Sequence, residues 1–187
     1  MDSRKLKDTI FALKTRRFGT FAEIMAKKLH EKVLSFPEGS VDFSSKLNYD
    51  LYDTEVNRRI ECKFSRVQKK ATIAITEATL LEALQSNADR NVNWEDRATT
   101  SWDCNIQQIK KKEFDSLMYG LFFNDIILFF TCCSEEIGET FSGYSNKQHR
   151  GNEGEGQFHI TNKNLQEHID WHLIKKITYE ELLSWLT

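Results

Sequence analysis

The feature of this sequence that most constrains its fold is a change of hydrophobic periodicity between residues 46 and 67. On both sides of a short interruption at 54–57, apolar residues occupy every second position: Leu47, Tyr49, Leu51, Ile60, Cys62 and Phe64. A period of two is typical of β-strands that bury one face. The segment therefore predicts a β-hairpin with an apolar face toward the core and a polar face on the other side.

Three charged residues fall on the polar face of this predicted hairpin. If the chain reverses between positions 55 and 56, Asp50 lies opposite Glu61. Side chains opposite one another in an antiparallel pair point to the same side, about 5 Å apart, and Lys63 follows two residues further along that side. Asp53 is closer to the turn and falls on the other face by the same alternation, so Asp50 is the preferred partner of Glu61.

Two facing carboxylates repel each other, and sheets normally avoid that pairing. A divalent cation between Asp50 and Glu61 would remove the repulsion, and hard oxygen ligands with positions left for water suit magnesium. Lys63 would then orient a water molecule or balance the charge of a phosphate. The alternative is structural, since an exposed strand face commonly carries glutamate and lysine, and an aspartate commonly ends a strand.

The same residues carry a resemblance to a known family. The segments YDLYD at 49–53 and RIECKFSR at 59–66 resemble the PD-(D/E)XK nuclease superfamily and, within it, the small type II restriction endonucleases. In that family an aspartate opens the hairpin and a Glu-x-Lys follows on the next strand. The resemblance implies that Asp50 and Glu61 bind metal and that Asp50, Glu61 and Lys63 are catalytic. Glu23 matches the family's metal-site glutamate on a preceding helix, whereas Tyr49 stands where the motif has proline.

The resemblance also implies a function. The expected activity is Mg²⁺-dependent hydrolysis of double-stranded DNA at a short specific sequence, with Mn²⁺ as a possible substitute. A homodimer is expected because two-fold symmetric proteins match palindromic sites, and a DNA methyltransferase would protect host DNA. The alternatives are a structure-specific or repair nuclease with the same site, and a DNA-binding module with this fold that does not cut.

Hydrophobic patterns elsewhere predict the remaining elements. Helical spacing predicts helices at 3–16, from Thr20 after a break at Gly19 to about residue 34, at 76–88, and at 178–186 behind a capping box of Thr178 and Glu181. Strands are predicted at 102–109, 114–123, 126–133 and 157–160. This order indicates an α/β (α+β) fold with a central mixed β-sheet flanked by helices, which the resemblance makes restriction-endonuclease-like. The 187 residues suit a single domain.

Basic and polar segments are the candidates for DNA contact. Residues that follow Lys63 would reach phosphates, which position the protein without reading sequence: Arg66, Lys69 and Lys70. The polar segment 142–157 is the first candidate for reading bases and 89–100 is the second, although both patterns also suit ordinary surface loops. In the first segment the predicted contacts are Gln148, Arg150 and Gln157.

Composition and charge exclude several other classes. The net charge of −2 gives no global indication of a nucleic-acid partner, although a basic face can form on an acidic protein. No apolar run approaches the ~20 residues that span a bilayer, and the charged N-terminus lacks a secretory signal. The four cysteines form no CxxC pair, which argues against a zinc site or a disulfide framework. We therefore expect a cytoplasmic protein without membrane partners.

Overall fold

The computed structural model describes residues 1–33, 39–45, 48–70, 72–146 and 154–187. In these ranges the chain forms five α-helices: α1 (Ser3–Ala12), α2 (Thr15–Val33), α3 (Leu80–Ala88), α4 (Leu165–His172) and α5 (Tyr179–Leu186). The strands are β1 (Val41–Phe43), β2 (Leu51–Asp53), β3 (Arg58–Arg66), β4 (Asp103–Ile109), β5 (Ser116–Phe122), β6 (Ile126–Cys133), β7 (Tyr144–Ser145), β8 (Gly156–Thr161) and β9 (Leu173–Thr178). None of these helices is long and apolar enough to cross a membrane.

The strands form two sheets. Six strands make the central sheet in the order β1-β2-β3-β5-β6-β9, and three make a smaller sheet in the order β4-β8-β7. Strands β3 and β5 run parallel, while the other neighbours in the central sheet are antiparallel. The predicted mixed central sheet flanked by helices is therefore confirmed.

The central sheet is covered on both faces. One apolar cluster joins it to α1, α2 and α5, and a second joins it to the small sheet and α4. All seven residues of β5 are buried as a result. The face of β3 that carries Glu61 and Lys63 is thus not an open polar surface, as the hairpin pattern suggested, because the second cluster covers part of it. Both side chains are only partly exposed.

The predicted helix break at Gly19 is wrong, because α2 begins at Thr15 and runs through this glycine. The chain breaks instead at Leu13, which follows the end of α1. Phe18 is buried and its ring lies 5.1 Å from that of Phe122, a contact that requires the helix to start early. Thr20 is not a cap, since its hydroxyl donates to the Arg16 carbonyl within the helix at 3.3 Å.

The strand predictions after residue 100 are confirmed as β4, β5, β6 and β8, and Thr178 is confirmed as the N-cap of α5, because its Oγ1 accepts the Glu181 amide at 3.2 Å. Helix α3 is shorter than predicted, starting at Leu80. The patterns missed β1, β7, α4 and β9. Helix α4 is anchored by His168, whose Nδ1 lies 2.9 Å from the buried hydroxyl of Tyr119.

A substitution at Gly120 of β5 tests how tightly the Phe64 side chain of β3 packs against this strand. A Cβ at this position would lie 2.5 Å from two ring atoms of Phe64 and 2.8 Å from the Leu128 carbonyl oxygen. We expect Gly120→Ala to lower the free energy of unfolding by about 1–3 kcal/mol, as overpacked cores do, measured by urea denaturation. Gly138→Ala is the matched control because nothing lies within 4 Å of its Cβ. Equal stabilities for the two variants would contradict this packing.

Candidate active site

The β2–β3 hairpin has the predicted register. Leu51 pairs with Ile60 and Asp53 pairs with Arg58, and the ladder ends at Leu51, so that Asp50 lies directly outside it. Leu51, Ile60 and Cys62 are buried against the helices, as the alternation predicts. Glu61 and Lys63 lie on the opposite face of β3. Asp50 directly precedes Leu51, the first residue of β2.

The backbone around Asp50 holds its carboxylate against β3. The Asp50 amide donates to the Ile60 carbonyl at 3.0 Å, and its carbonyl accepts from the Ser44 amide at 2.8 Å. Its side-chain Oδ2 accepts the Cys62 amide at 2.8 Å. The carboxylate therefore takes an amide of β3 beyond the last residue of β2, which fixes it beside Glu61 and leaves Oδ1 without a hydrogen bond from the described residues.

Glu61 and Lys63 form a partly buried ion pair. Lys63 Nζ donates to Glu61 Oε1, and the two side chains are only 25% and 12% exposed, lysine first. Burial raises the pKa of Glu61 to about 7, and the negative charge of Asp50 adds to this effect against the opposing attraction of Lys63. Burial alone would lower the pKa of Lys63, but the pairing with Glu61 outweighs it and raises that pKa.

Glu23 of α2 belongs to the same electrostatic cluster. Partial burial raises its pKa, nearby Asp50 raises it further, and Lys63 opposes the shift. Asp50 thus interacts electrostatically with the other three residues that the sequence nominated, Glu23, Glu61 and Lys63. We call these four residues the carboxylate–lysine cluster.

The donor set suits a magnesium ion with few protein ligands. Asp50 Oδ1 accepts no hydrogen bond from the described residues, and burial raises the pKa of Glu61 although Lys63 is paired with it. Within the described ranges no group of three or more His, Cys, Asp and Glu side chains could hold a metal ion, so the predicted three-ligand set of Glu23, Asp50 and Glu61 is not assembled. Magnesium usually binds proteins through one or two carboxylates plus water and substrate phosphates, so Asp50 and Glu61 fit it.

Asp53 has a different role from Asp50. It is 1% exposed on the other face of β2, and its Oδ1 accepts the amides of Glu55 and Val56 at 3.0 and 3.4 Å. These bonds form the hairpin turn. The structure therefore places Asp50, and not Asp53, beside Glu61.

A cleft of about 190 Å³ opens at Glu61 and Lys63, and six further residues form its other walls: Asn48, Gln108, Lys110, Glu113, Phe114 and Glu155. A second cleft of about 430 Å³ shares Lys110, Glu113 and Glu155 with the first and extends along the small sheet to Tyr144 and Asn146. The two clefts are adjacent, and together we call them the β4 groove. The left-handed backbone of Gln108, at φ 59°, is visible only in the structure.

Arg66 was predicted to contact DNA phosphates, but the structure places it away from the cluster. Its guanidinium donates to the carbonyls of Ile10 and Leu13 at 3.2 and 2.6 Å and lies 4.1 Å from the Phe18 ring centroid. Strand alternation explains this position, because residues three apart point to opposite faces. Arg66 thus binds the end of α1 and is not part of the proposed interface with DNA.

The other predicted contacts are scattered. Lys69 and Lys70 are exposed beside Arg90, past the far end of β3 from the cluster. Segment 89–100 lies near that end too, where Trp94 packs on Phe123. Gln157 is half-buried on the outer face of the small sheet, and its Oε1 accepts from Asn105 at 3.2 Å. The remaining candidates lie outside the described residues: Gln148 and Arg150.

Comparisons of the chain with protein-family models, with curated proteins and with solved structures find no match. The chemistry of the carboxylate–lysine cluster is therefore read from its geometry.

Ionisation of Glu61 has a measurable linkage to stability. Because the folded pKa of about 7 exceeds the ordinary 4.5, the contribution of Glu61 to unfolding free energy is fully present below pH 4.5 and is lost as pH rises through 7. At about 1.4 kcal/mol for each unit between the two pKa values, the loss is on the order of 3 kcal/mol. Relative to Glu61→Gln, wild-type protein in EDTA should lose that stability between pH 4.5 and 8, measured by urea denaturation.

The control for this measurement is Glu77→Gln, which changes an exposed glutamate and should show no such trend against wild type. A difference between wild type and Glu61→Gln that stays constant with pH would contradict the burial of an ionisable Glu61.

Proposed function

We propose that this chain is a Mg²⁺-dependent endonuclease of the PD-(D/E)XK type with a restriction-endonuclease-like fold, which hydrolyses phosphodiester bonds of double-stranded DNA at a short sequence. The observation that carries the proposal is the register of β2 and β3. It pairs Leu51 with Ile60 and so brings the Asp50 carboxylate onto the Cys62 amide, beside Glu61, which is itself paired to Lys63. A sheet gains nothing from two neighbouring carboxylates, whereas a metal-dependent hydrolase needs them.

Each residue of the carboxylate–lysine cluster has a role in this proposal. Asp50 and Glu61 would hold the metal, and Glu23 would complete its surroundings. A bound magnesium ion supplies stabilisation of the charge on the scissile phosphate and lowers the pKa of bound water. Lys63 would release Glu61 on metal binding and turn its ammonium toward the phosphate or the attacking water. Partial burial strengthens these interactions, because the local dielectric is low.

The β4 groove gives the DNA a path to the cluster. It begins at Glu61 and Lys63, and Lys110 lines both of its parts. Lys112 is exposed next to it, while Lys111 donates to the Ile137 carbonyl at 2.9 Å. Lys110 and Lys112 would contact phosphates beside the cut. A homodimer would present two such sites to a palindrome, and a methyltransferase of the same specificity would protect host DNA.

Cleavage of plasmid and phage DNA tests the proposal. Wild-type protein should give discrete fragments with Mg²⁺ or Mn²⁺ and none with EDTA. Asp50→Asn, Glu61→Gln and Lys63→Met should each lower the cleavage rate by roughly 100-fold or more, as loss of a group that stabilises transition-state charge does. Gel electrophoresis of the products and sequencing of their ends give the rate and the recognition site.

Matched controls are Asp170→Asn, Glu77→Gln and Lys163→Met, which change exposed residues of the same types and should keep wild-type rates. Each outcome of the assay selects one function. Random nicking would indicate a structure-specific or repair nuclease. DNA binding in gel shifts without cutting in either metal would indicate a binding module and end the nuclease proposal.

A further inference from the structure

Gln108 has an unusual backbone. Among the described residues only Asn57 and Gln108 have positive φ without being glycine, at 52° and 59°. Asn57 lies in the β2–β3 turn, and asparagine tolerates the left-handed region. Gln108 lies inside β4, where a long side chain with a left-handed backbone is strained. Strain of this kind persists only when the surrounding structure imposes it, and it is concentrated at functional sites.

A β-bulge imposes this conformation. Ile106 pairs with Phe158 and Ile109 with Gly156, so β4 uses one more residue than β8 between these pairs. In a regular strand, residue 108 would share the buried face with Ile106. The bulge gives that place to Ile109, which is 2% exposed, and leaves Gln108 exposed. Bulges re-aim side chains in this way beside active sites.

The re-aimed side chain lines the same cleft as Glu61 and Lys63. Its amide makes no hydrogen bond within the part of the chain that the structure describes. A primary amide offers two donors and an acceptor, which is the hydrogen-bonding capacity that nucleotide recognition uses. The position, the strained backbone and the uncommitted amide together indicate a ligand contact.

We propose that Gln108 contacts the DNA strand next to the phosphate that is cut, through hydrogen bonds from its side-chain amide. The inference rests on the proposed nuclease function and adds to it a positioning residue that carries no charge. Because Gln108 is neutral, its contact releases no counterion, so it contributes to affinity without changing the salt dependence of binding. Lys110 in the same cleft is charged, so its contact with a phosphate would change the salt dependence of binding.

The test compares Gln108→Gly and Gln108→Asn with wild type, using fluorescence anisotropy of a labelled DNA duplex that the wild-type protein cuts, with Ca²⁺ in place of Mg²⁺. Glycine adopts positive φ without steric cost, so Gln108→Gly should unfold at no lower urea concentration than wild type. It should nevertheless bind the duplex at least tenfold more weakly and cut it more slowly. Gln108→Asn should recover part of the loss, because it keeps the amide and tolerates the backbone.

Two further variants separate this role from others. Asn57→Gly changes the other left-handed residue, outside the β4 groove, and should leave DNA binding unchanged. Lys110→Met should reduce the slope of log affinity against log salt by about one, while Gln108→Gly keeps the wild-type slope. A Gln108→Gly protein that binds and cuts as wild type would overturn this inference alone. Wild-type protein that neither binds nor cuts DNA would overturn the proposed function and this contact with it.

Discussion

The site depends on how the β2–β3 ladder ends. The β2–β3 ladder ends at Leu51, the Asp50 amide still donates to the Ile60 carbonyl, and the Cys62 amide of β3 is taken by the carboxylate of Asp50. An amide at a strand end needs an acceptor, and using an aspartate for it holds a negative charge beside Glu61. The other edge of β3 pairs with β5 from Ile60 to Arg66, which holds Glu61 in place.

The second constraint is the depth at which these charges lie. The central sheet is buried on both faces, and the small sheet covers part of the face that carries Glu61 and Lys63. Ionised groups there lose hydration, which raises the pKa of Glu61 to about 7 although Lys63 is bonded to it. Such an arrangement is a poor source of stability. In the proposed function, the low dielectric around these charges would strengthen the attraction of the cluster for a cation or a phosphate.

The β4 groove joins two parts of the molecule that are far apart in sequence. Glu61 and Lys63 come from β3, whereas Gln108 and Lys110 come from the end of β4, where a bulge turns them out of the core. The bulge also interrupts the regular geometry of β4, because it leaves a non-glycine residue, Gln108, in the left-handed region. The bulge buries Ile109 and turns Gln108 into the cleft, and departures from local rules are typical of functional sites.

The sequence by itself determined the mixed α/β class, the hairpin, its register and the faces of Asp50 and Asp53, because strand alternation and turn length act over a few residues. The odd separation of Lys63 and Arg66 along one strand also implies that their side chains point to opposite faces, which is incompatible with a shared role beside the cut phosphate. Only the tertiary structure decided that α2 runs through Gly19, that the face of Glu61 is half-covered and that Gln108 belongs to the site. These features depend on contacts between distant segments, whose burial no local period encodes.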